Sequence, residues 1–255
     1  MKVVVAIDSF KGSLSSMEAG TAVAEGIYRA DKDAEVTVRP LADGGEGTVE
    51  ALTAGMNGRI ESVKVTGPLG NTVEASYGII AETKTAIIEM AAAAGITLLA
   101  EKDRNPLYTT TYGVGELMQD AMKKGCRNFI VGIGGSATND GGVGMLQALG
   151  YGFLDAAGRQ VPYGAEGLAR IVKITDDRVV PELKECHFKI ACDVTNPLCG
   201  EQGCSAVFGP QKGATLSMVE EMDKWLMHYA ALTKEKYPQS DRNKPGTGAA
   251  GGLGF

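Results

Sequence analysis

The chain has 255 residues, of which 44% are hydrophobic and 22% charged, and it carries a formal net charge of −6 with a pI near 5.1. This balance is typical of a soluble globular protein of one large or two ordinary α/β domains. The acidic charge argues against non-specific binding to nucleic acid. The longest apolar run, residues 86–100, contains Glu89 and Gly95 and is too short to span a membrane.

Strand and helix signals alternate from the first residues. Val3–Ile7 is a continuous apolar run, as expected of a strand buried in a parallel sheet. A helix is predicted to begin near Ser15, which has capping-box spacing to Glu18. A second strand at Glu35–Arg39 and a second helix at about Thr48–Met56 complete a β-α-β-α unit. This order predicts one half of a doubly wound domain.

The pattern changes near residue 58, where short strands with turn signals follow one another. The later segments alternate again between strand and helix signals. The predicted strands are Arg59–Thr66, Thr72–Ile80, Thr85–Met90, Asn128–Ile133 and Phe188–Cys192, with a hairpin formed by Tyr151–Leu154 and residues 156–160. The predicted helices are about Gly113–Lys124, Val143–Leu149 and Leu216–Lys236.

The five cysteines form no C-x-x-C pair, and their number is odd. Their spacing with His187 fits no common zinc pattern. We therefore expect reduced thiols and a cytoplasmic location.

Residues 132–142 read GIGGSATNDGG, in which five of eleven residues are glycine. The series Gly132-x-Gly134-x-x-Ala137 matches a dinucleotide fingerprint, with Asp155 at about the distance of a ribose-binding acid. Residues 138–142 resist helix formation, however, so the next helix is expected to begin after Asp140. A nucleotide-dependent oxidoreductase is therefore the less favoured alternative.

Acidic and small polar residues follow several predicted strands. The segments are 8–13, 43–47, 136–142 and 193–196. In open α/β sheets, ligands bind outside the carboxyl ends of the strands. Backbone amides and Lys11 suit phosphate oxygens, whereas the acids suit Mg²⁺ or the removal of a hydroxyl proton. Each acid taken singly could instead cap the next helix.

Eight motifs, in order along the whole chain, resemble the type-1 glycerate kinase family. They are AIDSFKGSLS (6–15), PLADGGEGT (40–48), GPLG (67–70), TTYGVGELMQDA (110–121), IGGSATNDGGVGMLQALG (133–150), ACDVTNPLCG (191–200), FGPQKGA (208–214) and PGTGAAGGLGF (245–255). The resemblance implies transfer of the γ-phosphoryl group of ATP to D-glycerate with Mg²⁺, giving 2-phosphoglycerate in preference to 3-phosphoglycerate. It implies an α/β fold with a Rossmann-like parallel-sheet domain, a second mixed α/β domain and a cleft between them.

The family pattern also implies that the Rossmann-like domain is discontinuous. We assign residues 1–65 to its N-terminal part and residues 66–255 to the second domain. We expect the family's C-terminal return to the first domain to be absent from this chain. An unfinished sheet edge would then invite pairing with another chain, so a homo-oligomer is one alternative.

The site residues follow from residue type, strand-end position and the family motifs. The predicted catalytic residues are Asp193, Lys11 and Asp43. The predicted substrate- and phosphate-binding residues are Ser9, Gly12, Ser13, Gly44, Gly45, Gly134, Gly135, Ser136, Asn196 and Lys212. The predicted metal ligands are Asp140, Asn139 and Asp193. The expected partners are small molecules, D-glycerate and ATP, rather than nucleic acid or membrane. A non-catalytic remnant that still binds glycerate or phosphate is the main alternative.

Overall fold

The computed structural model describes residues 1–8, 10, 13–41 and 47–255. At the N-terminus, β1 (Lys2–Ile7) and β2 (Glu35–Pro40) form a two-stranded parallel sheet, connected by α1 (Ser16–Ala30). The predicted capping box is present, because Ser15 Oγ accepts the Glu18 N–H at 3.2 Å and Glu18 Oε2 accepts the Ser15 N–H at 2.8 Å. This crossover is the β-α-β unit that the sequence predicts.

A five-stranded mixed sheet forms the centre of the chain, with strand order β3-β4-β5-β6-β9. Its first two pairings are antiparallel, and β5, β6 and β9 run parallel. The strands are β3 (Arg59–Thr66), β4 (Thr72–Ile80), β5 (Thr85–Glu89), β6 (Asn128–Gly132) and β9 (His187–Ala191). The helices α2 (Thr48–Gly55) and α4 (Tyr112–Lys123) pack against this sheet and bury its apolar side chains.

A second core lies around α8 (Leu216–Lys236), whose Leu226 and Tyr229 are buried. The remaining elements contribute side chains to one or the other of these cores. They are α3 (Ala91–Ala94), α5 (Val143–Ala148), β7 (Gly152–Leu154), α6 (Ala165–Leu168), β8 (Lys173–Thr175), α7 (Cys204–Phe208) and α9 (Ala249–Gly252). Within the described ranges, no helix combines the length and the apolar character needed to cross a bilayer.

The mixed α/β class is confirmed, and most predicted elements lie within two residues of their observed bounds. The predicted hairpin is present around a tight turn: the Asp155 N–H donates to Arg159 O at 2.8 Å, the Val161 N–H donates to Phe153 O at 2.9 Å, and Leu154 and Gln160 form an antiparallel bridge. The Asp155 carboxylate accepts the backbone N–H groups of Ala157 and Arg159, both at 2.9 Å, and so stabilises the turn. The longer ladder of β7 is antiparallel with β8, a pairing that the sequence did not predict.

The domain division at residue 65 stays a prediction. β3 pairs with β4 along its whole length, from Arg59 opposite Ile79 to Thr66 opposite Thr72. Residues 59–65 therefore lie in the five-stranded sheet.

Candidate functional site

Three parallel strands end at one edge of the five-stranded sheet. Glu89 of β5 lies opposite Gly132 of β6, which in turn lies opposite Ala191 of β9. The glycine-rich segment after β6 and the polar segment after β9 therefore leave the sheet side by side. Ligands of α/β proteins bind at this kind of edge.

The loop after β6 folds back over α3 through backbone hydrogen bonds. Ile96 N–H donates to Gly135 O and Ala137 N–H donates to Ala94 O, both at 2.9 Å. Gly135 has φ +71°, a left-handed conformation that glycine adopts without strain. In the described part of the chain, the N–H groups of Gly134, Gly135 and Ser136 meet no acceptor. Successive backbone N–H groups around a left-handed residue can form a concave site for an anion.

Asp140 holds the loop to its surroundings. Its side chain is 1% exposed, and its carboxylate accepts the Thr111 N–H at 2.8 Å and the Thr111 hydroxyl at 2.9 Å. It also accepts the N–H groups of Gly142 at 3.2 Å and Gly144 at 3.3 Å, at the start of α5. Burial raises the pKa of Asp140, and these four donors oppose that shift. Its role as a metal ligand stays a prediction, and its contacts match the helix-capping alternative.

Asn139 lies in the buried interior beside the loop. Its Nδ2 donates to Ser205 Oγ at 2.9 Å and contacts Met222 Sδ at 3.6 Å. Its Oδ1 and the hydroxyl of Thr138 are buried and have no hydrogen-bond partner in the described chain. The metal role of Asn139 also stays a prediction.

Lys212 reaches the glycine-rich loop from beneath. Its side chain is only 2% exposed, and Nζ donates to Ser136 Oγ and to Thr138 O, both at 2.7 Å. Burial lowers the pKa of Lys212 to about 8, because removal from water disfavours the charged form. The structure therefore brings Lys212 and Ser136 together, as the sequence predicts for the site, but Nζ bonds to the loop itself.

The segment after β9 carries Asp193 and Asn196. Asp193 is exposed, and none of the described residues forms a hydrogen bond or ion pair with its carboxylate. Asn196 is half-buried, its Nδ2 donates to Gln202 O at 2.8 Å, and its carbonyl accepts the Gly248 N–H at 2.9 Å. Its substrate-binding role stays a prediction. Asp193 is therefore the acid of this segment that a ligand could reach.

The remaining predicted site residues belong to the N-terminal loops. Ser13 is exposed, and its N–H donates to Phe10 O at 2.8 Å in a turn before α1. The others lie outside the described residues, namely Ser9, Lys11, Gly12, Asp43, Gly44 and Gly45. Their assignments stay predictions.

Two features of the site were missed by sequence reasoning. Glu89 ends β5, and its Oε1 accepts the Val49 N–H at the start of α2, at 2.7 Å. The sequence does contain a signal for Glu89, because it is an acidic residue that directly follows the apolar residues of a predicted strand. Thr109 and Thr111 are completely buried, and Thr109 Oγ1 donates to Ala137 O at 2.8 Å. Such buried hydroxyls hold the glycine-rich loop in place by hydrogen bonds. No local sequence pattern identifies them in advance.

The C-terminal glycines pack against the same loop. Gly251 has φ +65°, and its carbonyl accepts the Gly141 N–H at 3.0 Å. A Cβ at this position would lie 2.0 Å from Thr138 O, so the two backbones meet only because residue 251 is glycine.

Comparisons with known proteins agree with this architecture. Residues 3–255 match the glycerate kinase family. The glycerate kinase of Haemophilus influenzae is 50% identical over 254 residues, and the glycerate 2-kinase of Escherichia coli is 49% identical. Each match covers 100% of this chain and 67% of the relative, so the chain spans about two thirds of the length of these relatives.

A crystal structure from Salmonella typhimurium LT2, provisionally described as glycerate kinase 2, has the same fold. It superposes with a TM-score of 0.95 at 49% identity and is matched over 68% of its own length. The agreement covers the strand-end loops described above, since it extends over 100% of this chain. By sequence and by fold, the chain belongs to the glycerate kinase family.

Proposed function

We propose that this protein transfers the γ-phosphoryl group of ATP to the 2-hydroxyl of D-glycerate, giving 2-phosphoglycerate. The observation that carries the proposal is the sheet edge where the loop with the unpaired amides of residues 134–136 and the segment with the exposed Asp193 follow the neighbouring strands β6 and β9. Membership of the glycerate kinase family supports the reaction class. The name of the Escherichia coli relative, glycerate 2-kinase, supports the choice of hydroxyl.

In this mechanism, Asp193 accepts the proton of the glycerate hydroxyl. The hydroxyl oxygen forms a bond to the γ-phosphorus as the bond from that phosphorus to the β,γ-bridging oxygen breaks, and ADP leaves with the electron pair. The amides of residues 134–136 bind an anionic oxygen of glycerate or ATP. Phosphoryl transfer depends mainly on such positioning and charge neutralisation. We propose that Lys11 binds phosphate oxygens. Asp43 is the alternative to Asp193 as the general base.

Mg²⁺ is expected with ATP, and Asp193 is the predicted ligand that lies exposed. No cluster of three His, Cys, Asp or Glu side chains occurs in the described ranges. Mg²⁺ commonly takes one or two carboxylates together with substrate phosphates, so the exposed Asp193 would fit this role in the alternative in which Asp43 is the base. Asp140 fits less well, because four protein donors already surround its carboxylate. When bound, the ion would neutralise phosphate charge.

The test is a coupled assay of ADP release with D-glycerate, ATP and Mg²⁺, with NMR identification of the product. We expect glycerate-dependent turnover and 2-phosphoglycerate. Asp193→Asn should lower kcat by roughly 10²- to 10⁴-fold, the usual contribution of a general base. Asp177→Asn is the matched control, since Asp177 is 72% exposed and pairs with Arg178 at the surface.

Two results would overturn the proposal. The first is the absence of turnover although ATP or glycerate raises the melting temperature, which would indicate a binding remnant. The second is stabilisation by NAD without stabilisation by ATP, which would favour the oxidoreductase. A ligand at a hundred times its Kd stabilises by about 2.7 kcal/mol, which a melting curve detects easily.

A further inference from the structure

Lys212 is a buried cation whose ammonium group bonds to neutral oxygens. In the described part of the chain, no carboxylate lies within ion-pair distance of Nζ, and its partners are the Ser136 hydroxyl and the Thr138 carbonyl. The titratable groups that favour its charged form are Asp140 and the Cys204 thiol, neither of which bonds to Nζ. A buried charge of this kind is costly, so its position needs an explanation.

Ser136 links this cation to the amides of the loop. An ammonium group can only donate, so Ser136 Oγ must be the acceptor in its 2.7 Å hydrogen bond with Lys212. The proton of the Ser136 hydroxyl is then directed away from Nζ, and no described residue accepts it. Ser136 thus presents a hydroxyl donor and a backbone donor next to the N–H groups of Gly134 and Gly135.

An anion would interact favourably with the unpaired N–H groups, the Ser136 hydroxyl and the nearby positive charge of Lys212. A neutral ligand would gain nothing from that charge. The four donors of residues 134–136 can bind the oxygens of one anion, and the ammonium behind Ser136 supplies a positive charge where burial weakens screening by water. Gly135 is exposed and Gly134 half-buried, whereas Lys212 is covered by the loop. The loop therefore separates the cation from the exposed surface.

We propose that Lys212 is a positioning residue that charges and orients an anion site at residues 134–136 through Ser136, without touching the anion. The ligand is a carboxylate or phosphate oxygen, so the site holds either the glycerate carboxylate or a phosphate. This inference rests on the proposed function, and it names how one part of that site recognises its substrate. It replaces direct phosphate binding by Lys212 with an indirect role.

The test is a double-mutant cycle on anion binding, which needs no turnover. The variants are Lys212→Met, Ser136→Ala and the double variant. Titrations with D-glycerate and with inorganic phosphate are followed by calorimetry and by the NMR shifts of the Gly134 and Gly135 amides. The two ligands distinguish the carboxylate from the phosphate as the natural occupant. Turnover is measured in parallel, so that loss of the proposed reaction is distinguishable from loss of this site.

We expect each single substitution to weaken binding of one of the two anions by roughly tenfold to a hundredfold, the usual effect of removing a hydrogen bond to a charged group. The double variant should bind no more weakly than the weaker single variant, because Lys212 acts through Ser136. Lys212→Met should still fold, since methionine resembles lysine in length and carries no charge to bury.

Two controls test for general effects. Thr85→Val removes a hydroxyl from a residue that is 7% exposed, as Ser136 is. Thr85 is the first residue of β5, whereas the site lies at the carboxyl end of that strand. Lys124→Met removes one positive charge at the surface, where Lys124 pairs with Glu61 and Asp120. Both should keep the affinity of the parent chain. Additive effects of Lys212→Met and Ser136→Ala, or unchanged anion affinity in a folded Lys212→Met variant, would overturn the proposal.

Discussion

Raising the pH should stabilise this protein through Lys212. Burial lowers the pKa of this lysine from 10.5 to about 8 in the folded chain, so the unfolded chain binds the proton more tightly. Below pH 8 both states are protonated and the folded state bears the full cost of burying the charge. Between pH 8 and 10.5 only the unfolded state stays protonated, and the free energy of unfolding rises with pH.

The size of the effect follows from the shift. Each pKa unit corresponds to about 1.4 kcal/mol, so the full change is about 3 kcal/mol, of which about 2 kcal/mol falls between pH 7 and 9.5. Lys212→Met has no charge to bury and serves as the reference. Groups remote from Lys212 titrate alike in both proteins and cancel in the difference. The nearby Cys204 thiol, whose pKa burial raises to about 11, stays protonated in both folded proteins at pH 9.5.

Urea denaturation of both proteins at pH 7 and at pH 9.5 measures this difference. We expect the parent chain to gain about 2 kcal/mol relative to Lys212→Met on going to the higher pH. Only the change with pH is diagnostic, because Lys212→Met also removes the hydrogen bonds to Ser136 Oγ and Thr138 O at both pH values. A difference that stays constant or falls with pH would refute the reasoning, because it would mean that Lys212 remains charged in the folded state.

Three further substitutions test the scaffold of the site by urea denaturation. Asp140→Asn should lower the free energy of unfolding by at least about 2 kcal/mol, because an amide cannot accept from all four donors. An unchanged free energy of unfolding would contradict the anchoring role of Asp140. Glu89→Gln should cost about 1 kcal/mol, since it removes a negative charge from the start of α2, and a stabilised variant would count against this contact. Gly251→Ala should cost more than about 2 kcal/mol, because its Cβ meets the Thr138 carbonyl at a left-handed φ. Its control is Gly26→Ala in α1, where a Cβ meets nothing within 4 Å and a gain of up to about 1 kcal/mol is expected; equal effects of the two glycine substitutions would remove the steric argument.

The secondary structure could be predicted largely from the sequence because its causes are local. The capping box of Ser15 and Glu18 spans three residues, and helix α8 begins and ends where the amphipathic pattern does. Strand β3 is marked by alternating apolar and polar residues, and β5 and β6 are marked by short apolar runs. The family motifs likewise lie in contiguous segments, so membership of the family follows from the amino-acid sequence alone.

The roles inside the site depended on contacts that sequence spacing does not encode. Lys212 lies 76 residues from Ser136, and Thr111 lies 29 residues from Asp140. The sequence placed Lys212 and Ser136 among the predicted phosphate-binding residues, but it could not show that Lys212 is buried. For the same reason it overlooked Glu89, whose carboxylate accepts the N–H of Val49 at the start of a helix 40 residues away.

The amino-acid sequence by itself determined the strands, the helices, the glycine-rich loop and the family of this protein, because each depends on neighbours along the chain. Only the tertiary structure decided which acid is exposed and which is enclosed. Asp193 and Asp140 both follow strands of the same sheet, yet one is exposed and the other accepts four hydrogen bonds. Burial and hydrogen-bond partners set the chemistry of a carboxylate, and both arise only when distant segments pack together.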